Sequence, residues 1–271
     1  MGAPPQLQIA SASGNVFAYL WADAAPARFD GPAWARALCP RGSGLGLDGL
    51  FLLERPDPGG PWQMVHWDAD GSETFCGNGT RAALAVRGAP VSPVLEVLSN
   101  GAPVHLRQGG GEVALRMPQG DGFGFRTADL GLPDAWAYAW IGNPQLVIEV
   151  PEVAAVDLPS FAPPLRRHPA LAEGANVNVV EVLAPGRARI RSWERGVEGE
   201  TLCCGTGCAV AGAWLAGRTG LRRWILQPAG ADPVTVEVGA VERGHWEGLW
   251  LSGPVRRIGT VDPDPGFGLE G

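Results

Sequence analysis

Lysine is absent: all 21 basic residues among the 271 are arginine. No side chain can therefore form the Schiff base that anchors pyridoxal phosphate, and that cofactor's chemistry is excluded. Charge is sparse, at 18% of residues, and the formal net charge is −7. That balance is the wrong electrostatic footprint for a general nucleic-acid binder. The four histidines, His66, His105, His168 and His245, fall in unrelated settings without metal-ligand spacing. Five cysteines, Cys39, Cys76, Cys203, Cys204 and Cys208, make an odd set in a chain of this length, which is not a disulfide framework. No apolar run reaches spanning length, and no charged and apolar leader precedes the first strand-like stretch. A cytoplasmic protein without membrane association is expected.

What is plentiful is glycine, 40 residues, and apolar side chains, 45%. The chain can bury a sizeable core and make two domains. Its most informative stretch is Glu200-Thr201-Leu202-Cys203-Cys204-Gly205-Thr206-Gly207-Cys208. Cys204 stands on a Gly-rich turn before a small apolar run that reads as a helix. A thiol at a helix N-terminus meets unpaired backbone N–H groups and the positive end of the helix dipole. Both favour a thiolate, so a pKa below the ordinary value of roughly 8.5 is expected. The same turn is a ready anion site.

The motif is written twice. Cys76-Gly77-Asn78-Gly79 precedes another small apolar run, 128 residues before Cys204-Gly205-Thr206-Gly207. Gly14-Asn15 and Gly142-Asn143 share that offset. Two motifs at one offset, close to half the length, imply two similar halves, each supplying a Gly-Asn pair and a cysteine to a shared cleft. The halves are expected at residues 1–117, with about 259–271 returning to them, and 118–258. The Gly/Pro/Asp-rich stretch 118–134 is the candidate boundary.

Along the chain, residues 5–21 read as two strands around Ser13-Gly14-Asn15. Asn15 is there either for the hairpin turn, which favours Asn and Gly, or for binding. A helix is expected over 32–39, with Cys39 as a core residue at its end. Gly42 to Gly49 has a phosphate-loop flavour but lacks the Gly-Lys-Ser/Thr ending, so it reads as a loop entering a strand at 50–54. Another strand covers 63–67. Asp68, Asp70 and Glu73 read as turn chemistry, since the rest of a calcium loop is missing. The helix after Cys76 runs to about Arg87, with Arg81 one turn in, facing an anionic group or solvent. Short strands follow from 95 to 117. In the second half strands are expected at 135–140 and 146–150, then a Pro-broken helical segment over 151–172. The strand 175–180 carries Asn176 and Asn178 on one face. A strand at 187–193 leads to Glu194-Arg195-Gly196, the helix after Cys204 runs to about Gly217, and three strand-like segments occupy 221–258.

Taken together, these residues resemble the diaminopimelate epimerase family. The anchors are Gly14-Asn15, Ala69 to Glu73, Cys76-Gly77-Asn78-Gly79, Gly142-Asn143-Pro144, Ala175-Asn176, Glu194-Arg195-Gly196 and Gly199 to Gly207. The resemblance implies an α/β (α+β) fold of two pseudo-symmetric halves, each a curved sheet around a central helix. It implies a homodimer that inverts an amino-acid α-carbon without cofactor or metal. Cys76 and Cys204 would be the acid and base. Asn15, Asp68, Asn143, Asn176, Glu194 and Arg195 would orient the substrate, and the backbone N–H groups of Gly77, Asn78, Gly205 and Thr206 would hold its α-carboxylate.

The chain departs from the family in four places. Asp68 replaces Asn, Gln145 replaces the His that often follows Asn-Pro, one residue is missing between Glu73 and Cys76, and Glu198 is inserted after Arg195. These bear on which distal group is read, so a racemase of another amino acid is the alternative. A thiol redox or metal protein built on Cys203, Cys204 and Cys208 lacks the paired spacing that zinc favours. Five merely buried cysteines would leave the repeated motif unexplained. Cys203, beside Cys204, is expected to face away and pack.

Overall fold

The computed structural model describes residues 5–55, 60–87, 94–117, 125–126, 130–132, 135–242 and 244–263. The chain divides into two compact units, Met1–Leu115 with Pro254–Gly271, and Arg116–Gly253. The stretch 118–134 lies mostly outside the described residues. In order, the first unit holds β1 (Leu7–Ala12), β2 (Asn15–Trp21), α1 (Gly31–Leu38), β3 (Gly49–Glu54), β4 (Trp62–Asp68), α2 (Gly77–Arg87), β5 (Leu95–Ser99), β6 (Ala102–Gly109) and β7 (Glu112–Arg116). The second holds β8 (Phe125–Arg126), β9 (Trp136–Trp140), β10 (Pro144–Glu149), α3 (Leu158–Arg166), β11 (Asn176–Ala184), β12 (Arg187–Glu194), β13 (Gly199–Thr201), α4 (Gly205–Thr219), β14 (Arg223–Pro228), β15 (Val234–Glu237), β16 (Ala240–Glu242) and β17 (His245–Glu247). The last strand, β18 (Trp250–Val261), pairs with β15 at its start and with β1 from Val255 onward.

The repeat expected from the motifs is present in the topology. In the first unit β1 and β2 form a hairpin, β2 and β3 are parallel across α1, β3 and β4 antiparallel, β4 and β5 parallel across α2, and β5 and β6 antiparallel. In the second the same series runs β9, β10, α3, β11, β12, α4, β14, β15. Both Gly-Asn pairs fall at the first hairpin. Ser13 and Gly14 carry φ of 51° and 85°, the left-handed pair that a two-residue hairpin turn needs, and Ala12 pairs with Asn15. Gly142 carries φ 86° at the corresponding corner.

Strand alternation assigns the two faces of each sheet. Val16, Ala18, Leu20 and Leu50 pack with Trp34, Ala35 and Leu38 of α1. Leu146, Ile148, Val177 and Val179 pack with Leu158, Ala162 and Leu165 of α3. The alternate residues face the other helix. Tyr19 donates its hydroxyl to the Gly79 carbonyl of α2 at 2.8 Å, and α4 packs across β10, β11, β14 and β15. Residues Gly207 to Ala216 of α4 are all buried, as befits a helix apolar on every side. Burying Val210, Trp214 and Leu215 contributes roughly 1.5–3 kcal/mol each.

Two sequence expectations change. Pro163 and Pro164 do not break α3; they lie inside it. Only the two helical bonds they cannot donate are lost, the helix ends two residues later, and its core face is intact. The stretch 221–258 carries five strands rather than three, because β16 and β17 are three residues each and too short to show alternation. Among the described residues no helix is long and apolar enough to cross a membrane.

Candidate active site

In the first unit Cys76 closes β4's return loop and caps α2. Its carbonyl accepts the first helical bond, from Thr80 N–H at 2.9 Å, and its sulfur accepts from the N–H groups of Gly79 and Asn78. The Asn78 side chain donates to Asn15 Oδ1 at 2.9 Å, so the hairpin corner and the helix start are one assembly. Arg81 holds this assembly from beneath. It is fully buried, so it does not face solvent. Its guanidinium donates to Ser13 Oγ (2.6 Å), Asn78 Oδ1 (3.3 Å) and the Val113 carbonyl (3.2 Å). Asp68, at the end of β4, accepts from the Thr74 hydroxyl at 2.8 Å. Beside it His66 is buried and stacks on Phe51, its Nδ1 3.1 Å from Thr74 Oγ1. Burial lowers the His66 pKa, so the ring stays neutral.

In the second unit Cys204 caps α4, its carbonyl accepting from Cys208 N–H at 2.9 Å. It is 3% exposed. Its sulfur hydrogen-bonds the Glu194 carboxyl, accepts from Gly207 N–H, lies 3.5 Å from Thr206 Oγ1 and receives Gln145 Nε2 at 3.9 Å. Glu194, at the end of β12, also accepts from the Thr201 hydroxyl. Asn143 Oδ1 accepts from Gln145 Nε2 at 2.9 Å. Asn176 Oδ1 accepts the Arg195 backbone N–H at 2.7 Å. The Arg195 guanidinium lies apart from this cluster, exposed, with one N–H on the Glu173 carbonyl. The inserted Glu198 sits at φ 52° and ion-pairs with Arg166 (2.6 Å) and Arg167 (3.1 Å), tying the turn after Arg195 to the end of α3. Cys203 is buried and hydrogen-bonded to Cys208.

The expected low thiol pKa is not what the structure holds. Burial pushes Cys76 up to about 12, with the Gly79 and Asn78 N–H groups pulling down and Asp68 pushing up. Cys204 also lies well above its ordinary value, through burial first and then the Glu194 charge. Desolvation of the sulfur outweighs the helix terminus at both cysteines. Glu194 is itself raised by burial, against its bonds to Thr201 and Cys204.

Strand register makes the two sites counterparts. Phe17 pairs with Gly49 and Phe51 with His66; Gln145 pairs with Asn176 and Asn178 with Ser192. Trp67 bridges Glu73 as Trp193 pairs with Glu200. So Asp68 with Thr74 corresponds to Glu194 with Thr201. Under α2 the sheet presents Phe17, Phe51 and His66; under α4 it presents Gln145, Asn178 and Ser192. Thr74, Thr201, Asn178, Ser192, His66 and Arg81 are the neighbours that sequence reasoning missed. The repeated Glu-Thr before each cysteine was the available signal for the two hydroxyls. Among the described residues no group of three or more His, Cys, Asp or Glu is arranged to hold a metal.

Two repeated units, each launching a buried helix from a capping cysteine, define a protein of the epimerase and racemase class. Solved structures agree on the fold. A phenazine biosynthesis protein of the PhzF family from Bacillus anthracis superposes with TM-score 0.70 at 17% identity, covering 97% of this chain and 100% of that one. A hydroxyproline epimerase from Agrobacterium vitis gives 0.62 at 15%, covering 98% and 94%. The family model for diaminopimelate epimerase matches residues 137–242. A diaminopimelate epimerase from Sphingopyxis alaskensis is 38% identical over 269 residues, 93% of this chain and 94% of its own length. One from Erythrobacter litoralis is 33% identical over 211 residues, 73% and 77%. The chain belongs to the diaminopimelate epimerase family.

Proposed function

We propose that this chain interconverts LL- and meso-diaminopimelate by moving protons at one α-carbon, with Cys76 and Cys204 as the two bases and no cofactor. The observation that carries the reading is the matched pair of helix-capping cysteines, each beside a carboxyl–hydroxyl pair. One sulfur, as thiolate, takes the Cα proton; the other, as thiol, delivers its proton to the opposite face. The two sulfurs end each turnover with protonation states exchanged. The N–H groups of Gly77, Asn78, Gly205 and Thr206 would stabilise the α-carboxylate and the charge growing beside it. Asn15, Asp68, Asn143 and Asn176 would orient the substrate, Glu194 would accept from an ammonium group, and Arg195 would grip the distal carboxylate. The active form would be a cytoplasmic homodimer, which light scattering checks.

The test is Cα proton exchange in deuterated water, followed by NMR over a panel of amino acids. Diaminopimelate should exchange fastest. Cys76→Ser and Cys204→Ser should each abolish racemisation, because a hydroxyl is scarcely acidic beside a thiol. Cys203→Ser should retain activity, and dialysis against chelator with reductant should cost nothing. Racemisation that survives loss of either Cys76 or Cys204 would refute the mechanism. A second reading, racemisation of another amino acid, is favoured by Gln145 and by the clamp of Glu198 on α3; a different fastest substrate in the same panel would select it.

A further inference from the structure

The amide of Gln145 has its direction set by a neighbour. Asn178 is fully buried, and its Nδ2 lies 3.1 Å from the Leu146 carbonyl, an oxygen that can only accept. That bond fixes Nδ2 as the donor end of Asn178, independent of how an amide is drawn. The same Nδ2 lies 2.9 Å from Gln145 Oε1, which must therefore be the acceptor end. Asn178 Oδ1 accepts from the Ser192 hydroxyl at 2.7 Å, which completes this orientation. Gln145 is left with Nε2 turned to Asn143 Oδ1 and Thr206 Oγ1 at 2.9 Å each, which take its two N–H groups, and to the Cys204 sulfur at 3.9 Å.

We propose that Asn178 is a positioning residue that locks the Gln145 amide with its N–H toward Cys204, so that β10 and β11 offer this sulfur a donor and never a proton acceptor. An N–H donor favours the thiolate, and an amide exchanges no proton at neutral pH. Within this unit, among the described residues, the titratable groups facing Cys204 are Glu194 from β12, Cys203 and Cys208; β10 and β11 contribute only neutral amides. Neither β10 nor β11 thereby takes part in proton traffic at Cys204. The catalytic consequence rests on the function proposed above; the hydrogen-bond lock does not.

The experiment measures iodoacetamide alkylation of Cys204 by peptide mass spectrometry in the folded Cys76→Ser chain, as a function of pH. This readout needs no substrate. Gln145→Leu should slow alkylation at fixed pH, by less than the roughly fivefold that one ordinary hydrogen bond supplies, because the sulfur lies at 3.9 Å from Nε2. Asn178→Leu should slow it in the same direction, and the double variant should be no slower than Gln145→Leu alone. Gln145→Glu, which keeps volume and the Asn178 bond but turns an oxygen to the sulfur, should slow it further than Gln145→Leu. Unchanged alkylation in Gln145→Leu and Gln145→Glu overturns the proposal, whether or not the Asn178 variant folds. A slowed Gln145→Leu with an unchanged, folded Asn178→Leu removes the lock. If these shifts occur and the chain with Cys76 intact is inactive on diaminopimelate, the lock stands and the substrate assignment fails.

Discussion

Replacing Gly207 by Ala tests how tightly α4 rests on this amide pair. A Cβ at Gly207 would overlap Asn178 Oδ1 outright and stand 2.8 Å from Cγ and 3.1 Å from Nδ2. Asn178 has no solvent to retreat into. Swinging aside would break its bonds to Gln145 Oε1, the Leu146 carbonyl and Ser192 Oγ. Three buried hydrogen bonds at about 1 kcal/mol each come to about 3 kcal/mol. Alanine's better helix propensity returns at most about 1 kcal/mol. A net loss of about 2 kcal/mol is expected. Urea unfolding followed by tryptophan fluorescence would show it as a lower midpoint at unchanged slope. Gly42→Ala, with nothing within 4 Å of the new methyl, is the control and should stay within about 0.5 kcal/mol. Asn178→Ala should relieve the clash, making the double variant more stable than the sum of the single losses. A Gly207→Ala chain within about 0.5 kcal/mol of wild type, or strict additivity in the double variant, refutes the close-packing argument.

Burial raises the Glu194 carboxyl, so the folded chain holds more protons than the unfolded one between the ordinary carboxylate range and the raised value. Stability falls as pH rises through that window. Glu194→Gln should remove this slope and gain on wild type in thermal melts taken from roughly pH 4 to 8; a pH-independent difference contradicts it. Cys76, raised to about 12, should react with iodoacetamide at pH 7 at least about 1,000-fold more slowly than free cysteine, whose pKa is roughly 8.5; a rate matching the free thiol contradicts the burial argument. Arg81→Met strips donors from Ser13, Asn78 and the Val113 carbonyl and should cost about 3 kcal/mol in urea unfolding.

The parts of the fold that sequence made legible were those written as local pattern. The two Cys-Gly-x-Gly turns, the Gly-Asn corners and the helices after them stand where spacing put them. Five-residue and longer strands were legible as apolar runs because helices cover both faces of each sheet. The pair β16 and β17 was lost to shortness, and α3 was misjudged because two prolines outweighed its core-facing Leu158, Ala162 and Leu165. At the site, sequence could name the sulfurs but not their ionisation. The helix terminus is a local feature; desolvation depends on residues far along the chain that close over the sulfur. Asn178 was visible only as a second Asn on one face of a strand. Its function depends on Leu146 and Gln145, which reach it through parallel pairing across α3.

Carrying both copies of the fold on one chain has a genetic consequence. A half-length protein assembling with itself would receive every substitution twice, once on each copy. Here Phe17, Phe51 and His66 line one copy while Gln145, Asn178 and Ser192 line the other. Fusion separates their inheritance: a codon change can retune one sulfur's surroundings and leave the other's untouched.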